Sequence, residues 1–305
     1  MHIFIAGATG VLGRRVVPTL AAAGHAVTAV ARSDAKASAL RRQGAEPVMV
    51  DLFDPGAVAA AVAGSNAVIN LATAIPPTGQ MLRRSAWRTT DRLRREASAN
   101  LVNGALATGA RRYVQEALAF VHRDHGDRWI DEDAPLDPPA YAATVCDAEA
   151  QVRRFTDAGG AGVALRFGMF YSADSGQTRD LVRLARRGLL ALPGGDDTYQ
   201  PWVHVDDAAG AVVAALEAPE GVYHVVEDDP VTAGEHAAVL GDLLGRRLRR
   251  PPDWLAFGPL VLWLRSQRVA NRRLRAATSW RPRYGARRDG WAQVLHALDR
   301  EPVDA

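Results

Sequence analysis

The sequence predicts an α/β protein, a Rossmann-type doubly wound parallel sheet with a small C-terminal lobe. Two patterns carry that prediction. Apolar, β-branched runs alternate one for one with alanine-rich segments whose apolar residues recur near every 3.6 positions. A glycine-spaced turn, Gly7-x-x-Gly10-x-x-Gly13, joins the first apolar run to the first helical one. At 305 residues, 48% hydrophobic and 23% charged, the chain has the composition of an ordinary globular protein with room for a large core.

The strands are read at His2–Ala6, Ala26–Ala31, Pro47–Val50, Ala67–Ala72, Arg112–Gln115 and Gly162–Phe167, each an apolar run bounded by turn residues. Helices Val11–Ala23 and Asp34–Gln43 fall between the first three. A long helix, Ser85–Thr108, precedes the fifth strand and carries many arginines on what should be its solvated face. After Phe167 the loops "YSADSGQ" and "LPGGDDTYQPW" flank a short basic helix, Thr178–Arg187. A helix Val205–Leu216, a strand Gly221–Val226 and three further helical patterns follow. Residues 1–168 therefore read as a dinucleotide-binding domain to which 203–226 returns, and 169–305 as mostly a substrate-binding lobe.

Composition excludes several classes. The net charge of +3 is spread along the chain and accompanies no nucleic-acid motif. One cysteine, Cys146, permits no internal disulfide. The first residues show no charged, apolar and cleavage regions of an export signal, so a cytoplasmic protein is expected. The longest apolar run, Trp254–Leu264, is too short to span a bilayer and reads as a buried helix or a dimer contact. Lys36 is the single lysine; chemistry needing an amine elsewhere is excluded.

The strand–turn–helix setting of Gly7, Gly10 and Gly13 gives the glycines a purpose: a tight turn, close approach of backbone to a pyrophosphate, and close packing of helix on strand. Thr9, Val11 and Leu12 share that turn. Where an NAD-preferring fold ends its second strand in an acid, this chain has Arg32 and Ser33, and a guanidinium suits a ribose 2′-phosphate. NADP(H) is therefore favoured over NAD(H). Asp51 and Leu52 are placed at the adenine, Leu71, Ala72 and Thr73 at the ribose and nicotinamide, and Gly168 beyond them.

With these residues in place, the chain resembles the extended and atypical short-chain dehydrogenase/reductase superfamily in its NAD(P)-dependent epimerase/dehydratase branch. The resemblance rests on "GATGVLG", "LRFGMFY" (Leu165–Tyr171), "WVHVDDAAGAVVAAL" (Trp202–Leu216) and "GVYHVVEDDPVT" (Gly221–Thr232). It implies a tyrosine that exchanges a proton with the substrate oxygen, a lysine four residues later that lowers its pKa, a serine on the fifth strand and an asparagine on the long helix. Tyr141 takes the tyrosine's place. Val145 stands where the lysine belongs, Ala117 or Leu118 where the serine belongs, and Arg94 where the asparagine belongs. A phenol without a cation stays near pKa 10 and is a poor base at neutral pH, so ordinary alcohol dehydrogenation is disfavoured.

Two groups are candidates to replace the lost chemistry. His122, in a loop expected to cover the nicotinamide, titrates near neutrality as a general acid/base should, and Glu116 ends the fifth strand beside the vacant serine position. His122 and His125 have no further ligand pattern around them, which argues against a metal. Trp87, Met169, Phe170, Tyr171 and Trp202 are candidate apolar substrate contacts, whereas His204, Asp206 and Asp207 cap a helix and brace the lobes. Three functions remain open: redox-neutral acid/base chemistry or atypical reduction on a small apolar molecule, an ordinary NADPH-dependent ketone or enone oxidoreductase or epimerase, and a non-catalytic nicotinamide sensor. Monomer and homodimer are both compatible with the sequence.

Overall fold

The computed structural model describes residues 1–256 and 258–300. Seven strands form one parallel sheet: β1 (His2–Ala6), β2 (Ala26–Ala31), β3 (Ala45–Met49), β4 (Ala67–Asn70), β5 (Arg112–Leu118), β7 (Ala161–Phe167) and β10 (Gly221–Val225). The short β6 (Trp129–Ile130) pairs with β11 (Arg268–Val269), and β8 (Met169–Tyr171) with β9 (Trp202–His204). The order in the main sheet is β10-β7-β5-β4-β1-β2-β3. The reversal between β1 and β4 creates the crevice at the strands' C-terminal ends where such folds bind ligands.

Both faces of the sheet are covered, which is why its strands read as nearly continuous apolar runs. Against one face lie α1 (Gly13–Ala22), α2 (Asp34–Arg42) and α8 (Val205–Ala214), through Val16, Leu20, Leu40, Ala208 and Val212. Against the other lie α3 (Pro55–Val62), α5 (Ser98–Thr108) and α6 (Val145–Asp157), through Val58, Leu101, Val102 and Phe155. A separate core, built on Tyr171, Trp202, Leu240 and Trp291, holds α7 (Gly176–Ala185), α9 (Ala233–Leu244) and α11 (Arg287–Arg300) together. The short α10 (Arg272–Ala277) packs near β10. The phosphate-side helix α1 is tied to this lobe by Arg15, which donates to both Asp174 oxygens (2.9 and 3.0 Å) and to Asp206 (2.5 Å).

Five sequence readings change. β3 begins two residues earlier, at Ala45, and stops at Met49. β4 stops at Asn70 rather than Ala72, because the Asn70 side-chain oxygen accepts the Ala72 N–H (3.1 Å) and peels the chain into a loop. β5 runs on to Leu118. The long helix is a chain of unlike turns: 3-10 (Arg84–Trp87), α4 (Arg88–Arg92), π (Leu93–Ala97) and then α5. The Trp254–Leu264 run forms 3-10 turns, Asp253–Leu255 and Gly258–Leu264, in place of one buried helix, and Trp254 is 80% exposed. Phe257 of that run and residues 301–305 of the expected lobe lie outside the described residues. Among the described residues no helix is long and apolar enough to cross a membrane.

Candidate active site

The site begins where β1 runs into the glycine turn. Gly7 has φ +82°, and a Cβ there would stand 2.4 Å from the carbonyl carbon of Leu71, so the turn passes against the chain leaving β4 only because it has no side chain. At Gly13 an added Cβ would lie 2.3 Å from the Gly7 carbonyl oxygen, which shows how tightly α1 is seated on the turn. Leu12 precedes α1 without a side-chain cap, and its first turn contains no acid. The Arg14 and Arg15 N–H groups return to the Gly10 and Leu12 carbonyls (3.1 and 3.0 Å), so the amides that can meet an anionic group are those of the turn just before them. These features fit the pyrophosphate of a dinucleotide.

A cleft of about 540 Å³ opens over this turn, lined by Gly7, Thr9, Gly10, Val11, Leu12 and Gly13, by Leu52, by Leu71, Ala72 and Thr73, and by Phe170 across the gap. Arg32 lines its far end, and so does Lys36, one turn into α2. The sequence alone left that lysine beside the second strand without a role. Ser33 and Asp51 have other tasks: the Ser33 hydroxyl caps α2 by accepting from the Lys36 N–H (3.4 Å), and Asp51 accepts from the Phe53 N–H (3.0 Å). A larger groove of about 1490 Å³ runs over the C-terminal lobe past Asp196 and Arg250, which are paired, and shares no residue with the glycine turn.

At its inner end the cleft passes into a pocket of about 160 Å³, sharing Thr73, Ile75, Glu116, Phe170 and Gln177 with it. The pocket walls are Trp87, Leu118, Phe120, Tyr141, Met169, Leu262 and Trp263, with Gly168 at the base. A Cβ at Gly168 would come within 2.9 Å of the Trp202 backbone. Trp87, Met169 and Phe170 therefore stand where the sequence places substrate contacts. Tyr171 and Trp202 do not: Tyr171 is stacked on Trp291 (5.0 Å) and donates its hydroxyl to Glu227 (2.5 Å), and Trp202 packs edge-on to His236 (4.9 Å). Both belong to the core of the C-terminal lobe. Leu262 and Trp263 come from the apolar run whose position over this pocket has no signal in local sequence.

His122 also needs correction. It is 0% exposed and lines neither cavity. Its Nδ1 faces the Pro135 carbonyl (3.3 Å) and its Nε2 faces Nε2 of His224 on β10 (3.2 Å). Donation from Nδ1 to the carbonyl leaves Nε2 as acceptor for the His224 N–H, an arrangement that requires a neutral His122 ring, and burial pushes the His224 imidazole well below its ordinary value as well. Burial, reinforced by the Arg166 charge, pushes the His122 imidazole down to about 4. His122 is a structural clasp behind the site, removed from the loop position expected of a general acid/base.

Tyr141 faces the pocket, with its ring 6.1 Å from that of Trp87. Burial pushes its phenol above the ordinary value, and the Arg265 charge only partly opposes this. Val145 completes an apolar cluster with Ala117, Val121 and Ala142 against which Tyr141 packs. The tyrosine is thus a neutral wall at physiological pH.

Glu116 is 7% exposed and lies at the junction of cleft and pocket. Its Oε1 accepts from Nε of Arg94 (3.1 Å), and Arg94 is only 1% exposed. Arg94 is thus not among the arginines on the helix's solvated face: Arg92 and Arg95 are exposed, whereas the π turn that contains Arg94 presents it inward. Single π turns inside helices recur at functional sites for this kind of re-aiming. Glu116 is also held through its backbone: Asn70 donates to Gln115 Oε1 (2.9 Å), Tyr113 donates to the same oxygen (2.7 Å), and Gln115 Nε2 donates to the Glu116 carbonyl (2.9 Å). The only sequence signal for Asn70 and Gln115 is that they are polar residues inside two apolar strand runs.

Comparison with known proteins agrees with this architecture. Residues 3–226 match the NAD dependent epimerase/dehydratase family. The chain is 36% identical over 311 aligned residues to a Streptomyces 3-diazoavenalumate denitrifying reductase, covering 95% of this chain and 99% of that one. It is 30% identical to a 2-alkyl-3-oxoalkanoate reductase of Stenotrophomonas maltophilia, covering 72% and 66%. Its fold is similar to that of human epimerase family protein SDR39U1, solved with NADPH, with a TM-score of 0.78 at 24% identity over 99% of this chain and 100% of that one. The chain is a member of the NAD(P)-binding epimerase/dehydratase family of enzymes, within the extended short-chain dehydrogenase/reductase superfamily.

Proposed function

We propose that the protein is an NADPH-dependent reductase of a small, flat, largely apolar molecule that is electron-poor enough to accept hydride without a tyrosine–lysine proton relay. The carrying observation is that the dinucleotide cleft opens directly into an apolar pocket whose tyrosine has Val145 behind it in place of a cation. The nicotinamide supplies hydride when bound. The chain's own residues do the rest: the glycine turn and the start of α1 hold phosphates, Arg32 and Lys36 give the far end the two cations that a 2′-phosphate needs, and the pocket walls orient the acceptor and exclude water.

Redox-neutral chemistry has less support, because it needs a base active at neutral pH. His122 is sealed behind the site, and Glu116 is engaged by Arg94. The reductive reading also agrees with the names of the two reductases to which the chain is similar. Residues 1–168 with 203–226 serve as the cofactor domain, and the remainder as the substrate lobe.

The test starts with dinucleotide titration, following energy transfer from tryptophan to the reduced nicotinamide, and continues with NADPH consumption. NADPH binds more tightly than NADH and is consumed with a conjugated enone or an organic diazo compound, and Tyr141→Phe keeps the rate within about threefold. Steady oxidation of simple secondary alcohols with NADP, abolished by Tyr141→Phe, would overturn the proposal, as would absence of binding by either dinucleotide.

A further inference from the structure

The Arg94–Glu116 pair leaves one polar atom unaccounted for. Nε of Arg94 is used by Glu116, but Nη2 is buried and has no hydrogen-bond partner among the described residues, although Arg94 lines the apolar pocket. A buried N–H without an acceptor costs about 1–3 kcal/mol, more for a charged group, so the fold holds this donor at a price unless a ligand completes it. Trp87, Phe120 and Met169 of the pocket lining carry no side-chain oxygen, and the oxygens of Thr73 and Gln177 on the same lining make no hydrogen bond to Nη2, which leaves an incoming molecule to supply the acceptor.

We infer that Arg94 Nη2 is the donor that receives the acceptor atom of the substrate, and that this atom belongs to a neutral, conjugated group, such as a carbonyl, rather than to a carboxylate. This rests on the assignment of the apolar pocket as the substrate site. The charge argument is direct. Arg94 and Glu116 cancel, so a carboxylate entering the pocket would add an uncompensated buried negative charge, which is costly. A neutral carbonyl adds none. It becomes negative only as hydride arrives at the conjugated carbon and the π electrons move to oxygen, and at that moment the bond from Arg94 strengthens. Stabilisation that grows towards the transition state is what accelerates a reaction. The product enolate takes its proton from solvent water as it leaves the pocket, which balances the step without a proton from Tyr141. Glu116 is a positioning residue: it fixes the guanidinium through Nε and leaves the outer nitrogen free.

The probe is 4-(dimethylamino)cinnamaldehyde, a flat push–pull chromophore whose absorption moves to the red when its carbonyl oxygen accepts a strong or charged hydrogen bond. It is added to the purified full-length protein with and without NADP, conditions in which no hydride is transferred. The wild type red-shifts the probe. The double variant Arg94→Met/Glu116→Leu, which removes the whole ion pair and so leaves no orphaned charge, binds it within about threefold but without the shift. Glu116→Gln keeps the donor and retains a shift. The carboxylate analogue, 4-(dimethylamino)cinnamate, binds at least tenfold more weakly than the aldehyde, a difference of about 1.4 kcal/mol. An equal shift in wild type and double variant, no binding of the aldehyde to wild type, or equal affinity for aldehyde and carboxylate overturns the inference. A shift that depends on Arg94 in a protein that consumes no NADPH with any acceptor would instead overturn the reductase reading and leave the Arg94 site standing.

Discussion

The two ends of the cleft are built on opposite principles. At the phosphate end, function comes from backbone: a turn with no side chains, the uncapped start of α1, and Leu71 packed against Gly7 at a distance no Cβ permits. At the substrate end it comes from side chains drawn from distant segments, with Arg94 from a π turn, Glu116 from the tip of β5, and Leu262 and Trp263 from the C-terminal lobe. The backbone end tolerates almost no change, since its geometry admits one residue type. The side-chain end is held by an ion pair and apolar walls, and there any side chains that fill the space and satisfy one another's charges are admissible.

The contrast can be broken most severely at Gly7. Gly7→Val places a branched side chain at φ +82° against the Leu71 backbone, and NADPH binding falls below detection in the energy-transfer titration. Retained affinity would show that the turn yields more easily than its packing implies.

At the other end the largest effect comes from halving the ion pair. Arg94→Met leaves the Glu116 carboxylate buried without its partner and costs about 3–5 kcal/mol in urea denaturation, whereas Arg94→Met/Glu116→Leu restores most of that loss. Equal stabilities of the single and double variants would mean that water reaches Glu116 freely.

Acid sharpens the comparison on the same side. The folded protein keeps His122 neutral down to about 4, chiefly because it is buried, and His224 is pushed well below its ordinary value by burial and by the charges of His122 and Arg166. The unfolded chain takes up these protons near 6.5. Between pH 6.5 and 4 it therefore binds more protons than the folded state, and stability present above pH 6.5 is lost as pH falls through that window, by about 3 kcal/mol for His122 alone. His122→Gln flattens this dependence in denaturation midpoints measured across the window; an unchanged slope would assign acid sensitivity elsewhere.

The smallest effect is at the cofactor's outer end. Arg32→Ser weakens NADPH about tenfold, near 1.4 kcal/mol, and leaves NADH unchanged. A loss shared equally by the two dinucleotides would mean that Arg32 supports the cleft without reading the 2′-phosphate.

Residue by residue, legibility in the sequence followed locality. Gly7, Gly10 and Gly13 were readable because strand, turn and helix are consecutive, and β1 and β2 have the expected limits because apolar runs end where turn residues begin. Trp87, Met169 and Phe170 were readable as apolar residues near the cleft. The misplaced residues are those whose direction depends on a remote neighbour. His122 turns away because His224, about a hundred positions later, lies beside it, and Tyr171 turns away because Trp291 and Glu227 fill the lobe behind it.

Arg94 is the sharpest case. Its neighbours Arg92 and Arg95 are solvated, and nothing in composition or periodicity separates it from them. The sequence by itself determined the doubly wound sheet and the glycine turn, because these follow from local backbone preference and from residue identity. Only the tertiary structure decided that Arg94 faces Glu116, that His122 is a clasp, and that Leu262 and Trp263 line a pocket. Burial and pairing of charges are properties of segments brought together across the chain, and their energies do not exist until those segments meet.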